Sequence, residues 1–308
     1  MKLNTIKFFF VCLLLSSCEA ENPFVSKEYI EQLEESLKPD ITNIAFIYEN
    51  DVYYLADIES IPQKITGTPE NTKTKISVSH SGKKFAFLNK DNLIEIIDST
   101  GTVLTILSSY TDVKSFDWSE DDSTLYILNG NSLSFYGPDM DIPTLTSPSI
   151  PNYAFAEFTS LSISSGGDLA YTVKYMGAIN SDTYRLIQKP NDGSDNEIIY
   201  SNNSVKDFTY VNFSSNAQDL VLGASNSINV LEEVYFFEDL NNFHSFTSEF
   251  DHITPTYNSA KQFIVGGYNN SSQASELYLY ARSLTNSDED YVFDSFSNEN
   301  NPIYVDWK

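Results

Sequence analysis

Apolar and polar positions along the chain fall into one short pattern that returns six times. Each copy is an apolar run, a small polar turn and a second apolar run. The copies are 76–89 (ISVSHSGKKFAFLN), 116–129 (FDWSEDDSTLYILN), 161–173 (LSISSGGDLAYTV), 211–224 (VNFSSNAQDLVLGA) and 253–267 (ITPTYNSAKQFIVGG), with a half copy at 302–308 (PIYVDWK). The last core residue before each turn is Val78, Trp118, Ile163, Phe213, Tyr257 and Trp307, at gaps of 40, 45, 50, 44 and 50 residues. The second runs, such as LYIL at 125–128 and FIV at 263–265, are almost continuously apolar. A strand covered on both faces of its sheet need not alternate.

A period near 45 residues with four strands per unit predicts β-propeller blades. A four-stranded blade cannot bury its faces alone, so blades stack around an axis and cover one another. The outer strands fit the remaining stretches. Residues 92–98 (NLIEIID) turn at Gly101 into 102–107 (TVLTIL), and 52–65, 132–145, 184–200, 234–246 and 276–293 are comparable. Residues 44–48 (IAFIY) read as a second strand lacking a first, and 304–307 as a first strand lacking a second. Together they complete a sixth blade, which removes two raw sheet edges. The expected fold is therefore all-β: a six-bladed β-propeller over 39–308, of four-stranded antiparallel blades, closed by the C-terminal strand and preceded by a short N-terminal helix.

The turns read SHSG at 79–82, SEDD at 119–122, SSGG at 164–167 and SSNA at 214–217, with NSAK at 258–261. A strand, S-x-x-G/D and an apolar strand resembles the WD40-like repeats of TolB-type propellers, where this turn often reads S-P-D-G. No copy here has the Pro. The resemblance implies a fold and not an activity.

Residues 1–17 form an expected leader: Lys2 and Lys7 without an acid, an apolar run at 8–15 broken by Cys12, and small residues before Cys18. The LSSC ending at 15–18 resembles a bacterial lipobox. That resemblance implies cleavage before Cys18 and acylation of Cys18, with two or more chains giving stable anchoring. Cys12 and Cys18 are the only cysteines, so the processed chain is expected to hold no free thiol or disulfide. Glu19 and Glu21 resemble the surface-export signal of Bacteroidota-type lipoproteins. The expected address is the outer membrane, with the outward face favoured over the periplasmic one. Residues 18–38 then make a lipidated linker and a short helix: Ser26 caps 26–38 (SKEYIEQLEESLK), and Pro39 bars its continuation. Tyr29, Ile30, Leu33 and Leu37 share one side of it, and Glu31, Glu34 and Glu35 the other.

The formal net charge is −25, and loss of the two leader lysines makes it −27. Without a basic footprint, nucleic acid is excluded as a partner. Anionic headgroups would be repelled too, so membrane contact is expected only through the acyl chains on Cys18. Candidate metal segments are 191–197 (NDGSDNE), Asp139 with Asp141, and 287–290 (SDED). None has calcium-loop spacing, and Asn, Asp and Gly are turn formers. No cofactor is expected; calcium is the one metal left open, because three scattered histidines and no spare Cys make no zinc set.

No catalytic constellation emerges. His80, His244 and His252 are isolated, and no G-x-S-x-G elbow is present. The inner strands could present Asp117, Glu157, Asp207, Asp251 and Asp306 to a central funnel. Asp117 and Asp306 each precede a Trp, so they hold equivalent places and are expected to serve turn or inter-blade hydrogen bonding. The expected function is a non-catalytic binding or scaffold protein that recognises an envelope protein through a propeller face. The alternatives are a glycan- or peptide-binding surface lipoprotein and a metal-dependent hydrolase using the funnel carboxylates. The 21 Phe and 20 Tyr mainly fill inter-blade space.

Overall fold

The computed structural model describes residues 42–57, 60–138, 144–177, 182–195, 197–202, 207–213, 219–227, 230–238, 242–247, 254–258, 261–265, 267–268, 276–282, 290–297 and 304–308; from 225 on, it describes the side chains of only Tyr235, Phe237, Tyr304, Asp306 and Lys308. All regular structure in these residues is β. The first sheet holds β1 (Thr42–Tyr48), β2 (Asp51–Asp57) and β3 (Gln63–Lys64). The second holds β4 (Thr74–Val78), β5 (Lys84–Leu88), β6 (Ile94–Asp98) and β7 (Val103–Leu107), and the third β8 (Val113–Trp118), β9 (Leu125–Asn129) and β10 (Ser132–Tyr136). The fourth holds β11 (Tyr153–Ile163), β12 (Leu169–Gly177), β13 (Thr183–Lys189) and β14 (Glu197–Asn202). The fifth holds β15 (Asp207–Phe213), β16 (Leu220–Ser227), β17 (Val230–Glu238) and β18 (Asn242–Thr247). Then come a pair, β19 (Thr254–Asn258) with β20 (Lys261–Val265), and a three-stranded sheet of β21 (Gly267–Tyr268), β22 (Glu276–Arg282) and β23 (Asp290–Ser297).

The last strand, β24 (Val305–Trp307), joins the first sheet. It pairs antiparallel with β1, Trp307 opposite Ile44 and Val305 opposite Phe46. The second, fourth and fifth sheets are meanders of antiparallel neighbours in chain order, as hairpin connections dictate, and the first is one apart from β24. The first strands touch in the order β24, β4, β8, β11, β15 and β19, and β19 also touches β24.

The sequence reason for the turns is visible in three copies. In each, the motif Ser donates its N–H across the hairpin and accepts a hydrogen bond at Oγ. Lys84 N, Thr124 N and Asp168 N donate at 3.0 Å to the hydroxyls of Ser79, Ser119 and Ser164. The fourth position then turns left-handed, at φ 68° for Gly82, 57° for Asp122 and 85° for Gly167. Glycine and aspartate tolerate that region better than most residues. The SSNA turn at 214–217 lies outside the described residues.

Packing is between sheets. Ala45, Ile47, Val52 and Ile65 meet Val78, Phe85, Phe87 and Ile97 of the second sheet. The other side of β5, Ala86 and Leu88, joins Ile94 and Ile96 against Phe116, Trp118, Leu125 and Ile127. Alternate residues of one strand thus feed two seams, which is why the second runs read apolar throughout. Leu128 enters the next seam with Phe158, Leu161 and Tyr171, and Ala170, Tyr184 and Leu186 face Phe208, Val211 and Leu222 in the one after.

Residues 132–145 were expected to supply two outer strands; among the described residues β10 is the one strand there, and 144–150 follow an irregular path. Pro143 and Pro148 lack ladder donors, and the Tyr171 and Tyr175 hydroxyls donate to the carbonyls of Thr146 (3.1 Å) and Pro148 (2.8 Å), holding the segment against the fourth sheet. After 253, β19 pairs with β20, β21 with β22 and β22 with β23, and β20 also lies against β22, so these strands follow one another in chain order as the earlier sheets do.

Phe87 is fully buried in the first seam. Phe87→Ala is expected to cost about 3–5 kcal/mol in denaturant unfolding, by lost transfer energy plus a cavity. Gly82→Ala would put a Cβ against Tyr54 Oη and Asn43 Oδ1 at positive φ, and is expected to lower the midpoint by more than the Gly/Ala propensity difference would suggest.

Candidate functional site

The polar residue just before each last core residue comes to one level: Ser77, Asp117, Ser162, Asn212 and Asp306, on β4, β8, β11, β15 and β24. Each of the first four pairs with the second or third residue of the following strand: Ala86, Tyr126, Ala170 and Val221. Thr256, opposite Phe263, has that register in β19. The repeat therefore builds a polar layer across the inner strands, one residue in from the turns.

Within it, side chains bridge adjacent sheets. Asp306 Oδ2 accepts from Val78 N at 2.8 Å, joining first and second sheets. Trp118 Nε1 donates to Ser77 O at 3.3 Å, joining second and third. Asp117 Oδ2 accepts from Ile163 N at 3.0 Å, joining third and fourth. Ser160 and Ser162 accept from Val211 N (3.0 Å) and Phe213 N (3.1 Å), joining fourth and fifth. The Ser162 hydroxyl also lies 3.0 Å from Asn212 Oδ1. These bonds satisfy inner-strand donors that would otherwise be buried without a partner.

Charge concentrates at Lys308. Its ammonium forms a buried ion pair with Asp117 Oδ1, which also accepts from Trp118 N at 2.9 Å. Asp306 is buried beside it. Burial pushes its carboxyl up to about 6, the nearby Asp117 charge adds to that, and Lys308 and the Val78 N–H oppose it. Burial alone would lower Lys308, but Asp117 and Asp306 outweigh it and hold the ammonium charged above its ordinary range. His80 is pushed down, first by burial and then by the Lys308 charge, so it stays neutral at neutral pH. Its N–H donates to Asp122 Oδ1 at 2.7 Å, and its carbonyl accepts from Asn43 Nδ2 at 2.7 Å. At neutral pH the three buried charges, Asp117, Asp306 and Lys308, sum to one excess negative charge.

The structure thus brings Asp117 and Asp306 into one cluster as inter-sheet acceptors, and separates the other candidates. Glu157 sits half-exposed in β11, 3.3 Å from Lys114. Asp207 opens β15, and His244 lies in β18. Cys18, Asp139, Asp141, Asp251 and His252 lie outside the described residues. The 191–197 segment is a hairpin turn: Asp168 Oδ1 accepts from Asn191 N (2.8 Å), Asp192 Oδ1 from Ser194 N (2.9 Å), and Gly193 turns at φ 82°. Among the described residues no group of three or more His, Cys, Asp or Glu side chains is placed to hold a metal.

Two charged residues carry no sequence signal as site candidates. Lys308 follows the second D-W pair where Ser119 follows the first, and that mismatch was the available clue. Lys73 is buried in a cage of oxygens: its ammonium reaches Asn50 O (2.6 Å), Thr68 O (3.0 Å), Thr68 Oγ1 (3.1 Å) and Asn71 O (3.0 Å). Burial pulls its pKa down, against the Asp51 charge.

With sheet order, inter-sheet seams and a polar inner layer established, known structures can be compared. TolB from Acinetobacter baumannii superposes with a TM-score of 0.61 over 91% of this chain and 70% of that one, at 14% identity. The fold is a TolB-like β-propeller. A chain of a nidogen/laminin complex matches with a TM-score of 0.58, 9% identity and coverage of 85% and 96%. An oligogalacturonate lyase solved in complex with manganese matches at 0.51, 11% identity and coverage of 77% and 70%. No protein-family model and no curated protein matches the chain. At these identities the likeness establishes the propeller fold alone.

Because the folded Asp306 holds its proton more tightly than an unfolded carboxyl near 3.8, it makes stability fall as pH rises from about 4 to about 6, and it adds no slope above that. Asp306→Asn is expected to abolish this component; the check is wild-type minus variant unfolding free energy across pH 4–7. Lys308→Met would strand two buried carboxylates and is expected to cost about 3–5 kcal/mol at pH 7, and less once Asp306→Asn is added.

Proposed function

We propose that this chain is a lipid-anchored, non-catalytic binding or scaffold protein of the bacterial outer membrane, built on a closed six-bladed propeller that presents one face to an envelope partner. The carrying observation is the state of the axial carboxylates. A metal hydrolase on this fold needs free carboxylates converging on the funnel. Here Asp117 is committed to Ile163 N, Trp118 N and Lys308, and Asp306 to Val78 N. Both are spent on holding sheets together. What remains for recognition is the surface of the propeller, with its turns, loops and tyrosines, suited to shape and hydrogen-bond readout.

The anchor rests on the LSSC ending at 15–18 and the basic, apolar leader before it. Among the described residues no helix is long and apolar enough to cross a membrane, and the acidic charge disfavours adsorption to anionic lipid. Acyl chains on Cys18 would supply the attachment. The glutamates at 19 and 21 support the outward face.

In a Bacteroidota host, Cys18→Ser is expected to move the protein from the membrane pellet to the soluble fraction. Metabolic labelling with a fatty-acid analogue should mark the wild type alone. An unlabelled wild type that stays in the supernatant overturns the anchor. Crosslinking in intact cells followed by affinity purification is expected to yield one stoichiometric envelope protein. Recovery of glycan ligands instead, or ester and lactone hydrolysis stimulated by added metal, would replace the scaffold reading.

A further inference from the structure

The outer edge strand of the second sheet exposes more apolar side chain than those of the first, third and fourth sheets among the described residues. In β7, Val103 is 49%, Leu104 51% and Ile106 48% exposed, and residues 102–110 contain no charge. Among the described residues no strand pairs with its outer edge. Outer edges are usually blunted by charge, Pro or brevity. β3 has two residues and includes Lys64, β14 begins with Glu197, and Phe135 O at the edge strand β10 accepts from Tyr110 Oη at 2.9 Å. A register shift opposite Ile96 and Ile97 leaves Leu104 out of the ladder, adding an apolar side chain to the exposed set. The chain has −25 net charge to spread over its surface, yet leaves this strip bare, as a covered surface would be.

We propose that residues 26–38, as an amphipathic helix, cover β7, packing Tyr29, Ile30, Leu33 and Leu37 on Val103, Leu104 and Ile106. Both partners carry an apolar stripe, that of β7 is half-exposed, and the helix acids Glu31, Glu34 and Glu35 would face water. The geometry of the join supports this occupant. Asn43, at the start of β1, bonds His80 O and lies against Gly82, so the chain enters beside the 79–82 turn of the second sheet. Val103 pairs with Ile97, and the next residue, Asp98, pairs with Lys84 just after that turn. The start of β1, in the first sheet, therefore lies beside the end of the second sheet at which β7 starts. The lateral step from the 79–82 turn to β7 is two strand spacings, about 10 Å. Residues 39–41 extended span about 10 Å, and a helix of 26–38 covers about 20 Å, more than the length of β7. The Ile65 carbonyl packed at Gly101 extends the first sheet to the same rim, so the helix would seat against two sheets.

Docking requires no lipid and stands apart from the anchor. It does set what the anchor would do: only residues 19–25 would be left as tether, so a propeller on acylated Cys18 would sit close to the membrane.

The test uses disulfide trapping in the full chain with Cys12 and Cys18 replaced by Ser, which leaves no other thiol. Leu33→Cys with Leu104→Cys is expected to crosslink within one molecule at least tenfold faster than Glu34→Cys with Leu104→Cys, read by peptide mass spectrometry. Equal rates, or crosslinks only between molecules, overturn the proposal. Independently, Ile30→Asp with Leu33→Asp should raise amide exchange of 103–107 about tenfold while β12 amides stay unchanged. Unaltered exchange in β7 overturns it as well. Membrane release of Cys18→Ser can succeed or fail without affecting either readout, so the two readings are separable.

Discussion

No sheet in this protein can bury its own two faces, and everything else follows from that. Each strand of the inner pairs carries apolar side chains on both sides, Phe85 and Phe87 one way and Ala86 and Leu88 the other. The hydrophobic term, roughly 25 cal/mol for each Å² of apolar surface removed from water, is collected only at the seams between sheets. A sheet with one neighbour missing would leave half its apolar residues wet. The inner-strand polar layer works on the same seams from the axial side. Asp306, Asp117, Ser160 and Ser162 each reach across to a backbone N–H of the next sheet, fixing register where apolar packing alone is permissive.

The electrostatics of the axis show how a very acidic chain can place two carboxylates in its interior. Lys308 is held charged between them, and the backbone donors take the remaining oxygens. The excess negative charge is moderated by the raised proton affinity of Asp306. Lys73 solves a similar problem elsewhere by surrounding its ammonium with backbone carbonyls. Both arrangements tie loops and sheets together at fixed distances.

Much of this was legible because the repeat has a physical cause. Ser at the first turn position and Gly or Asp at the fourth serve the hairpin's own hydrogen bonds, so the motif recurs wherever that hairpin does. The two D-W pairs announced equivalent places; whether Asp117 and Asp306 would bond within a turn or between sheets was open in the sequence, and the structure displays the inter-sheet bonds. The pairing of β24 with β1 followed from two half repeats. The irregular path of 144–150 was not legible, because it depends on Tyr171 and Tyr175, in another sheet, capturing the carbonyls of Thr146 and Pro148. Nor was Lys308, since a lone lysine carries no periodic signal and its role appears only when β8 and β24 are brought together. The turn signal of Asn191, Asp192 and Gly193 outweighed its metal-like composition, as the hydrogen bonds of that hairpin confirm.

The pairing of β24 with β1 has a consequence for biosynthesis. Thr42 bonds Lys308 across 266 positions of sequence, so the first sheet to leave the ribosome is the last to acquire its inner strand. Until then β1 presents an apolar rail, Ile44 to Ile47, with an open edge. Closing that edge waits on a pairing of high sequence separation, which forms late and leaves the apolar rail exposed in the meantime.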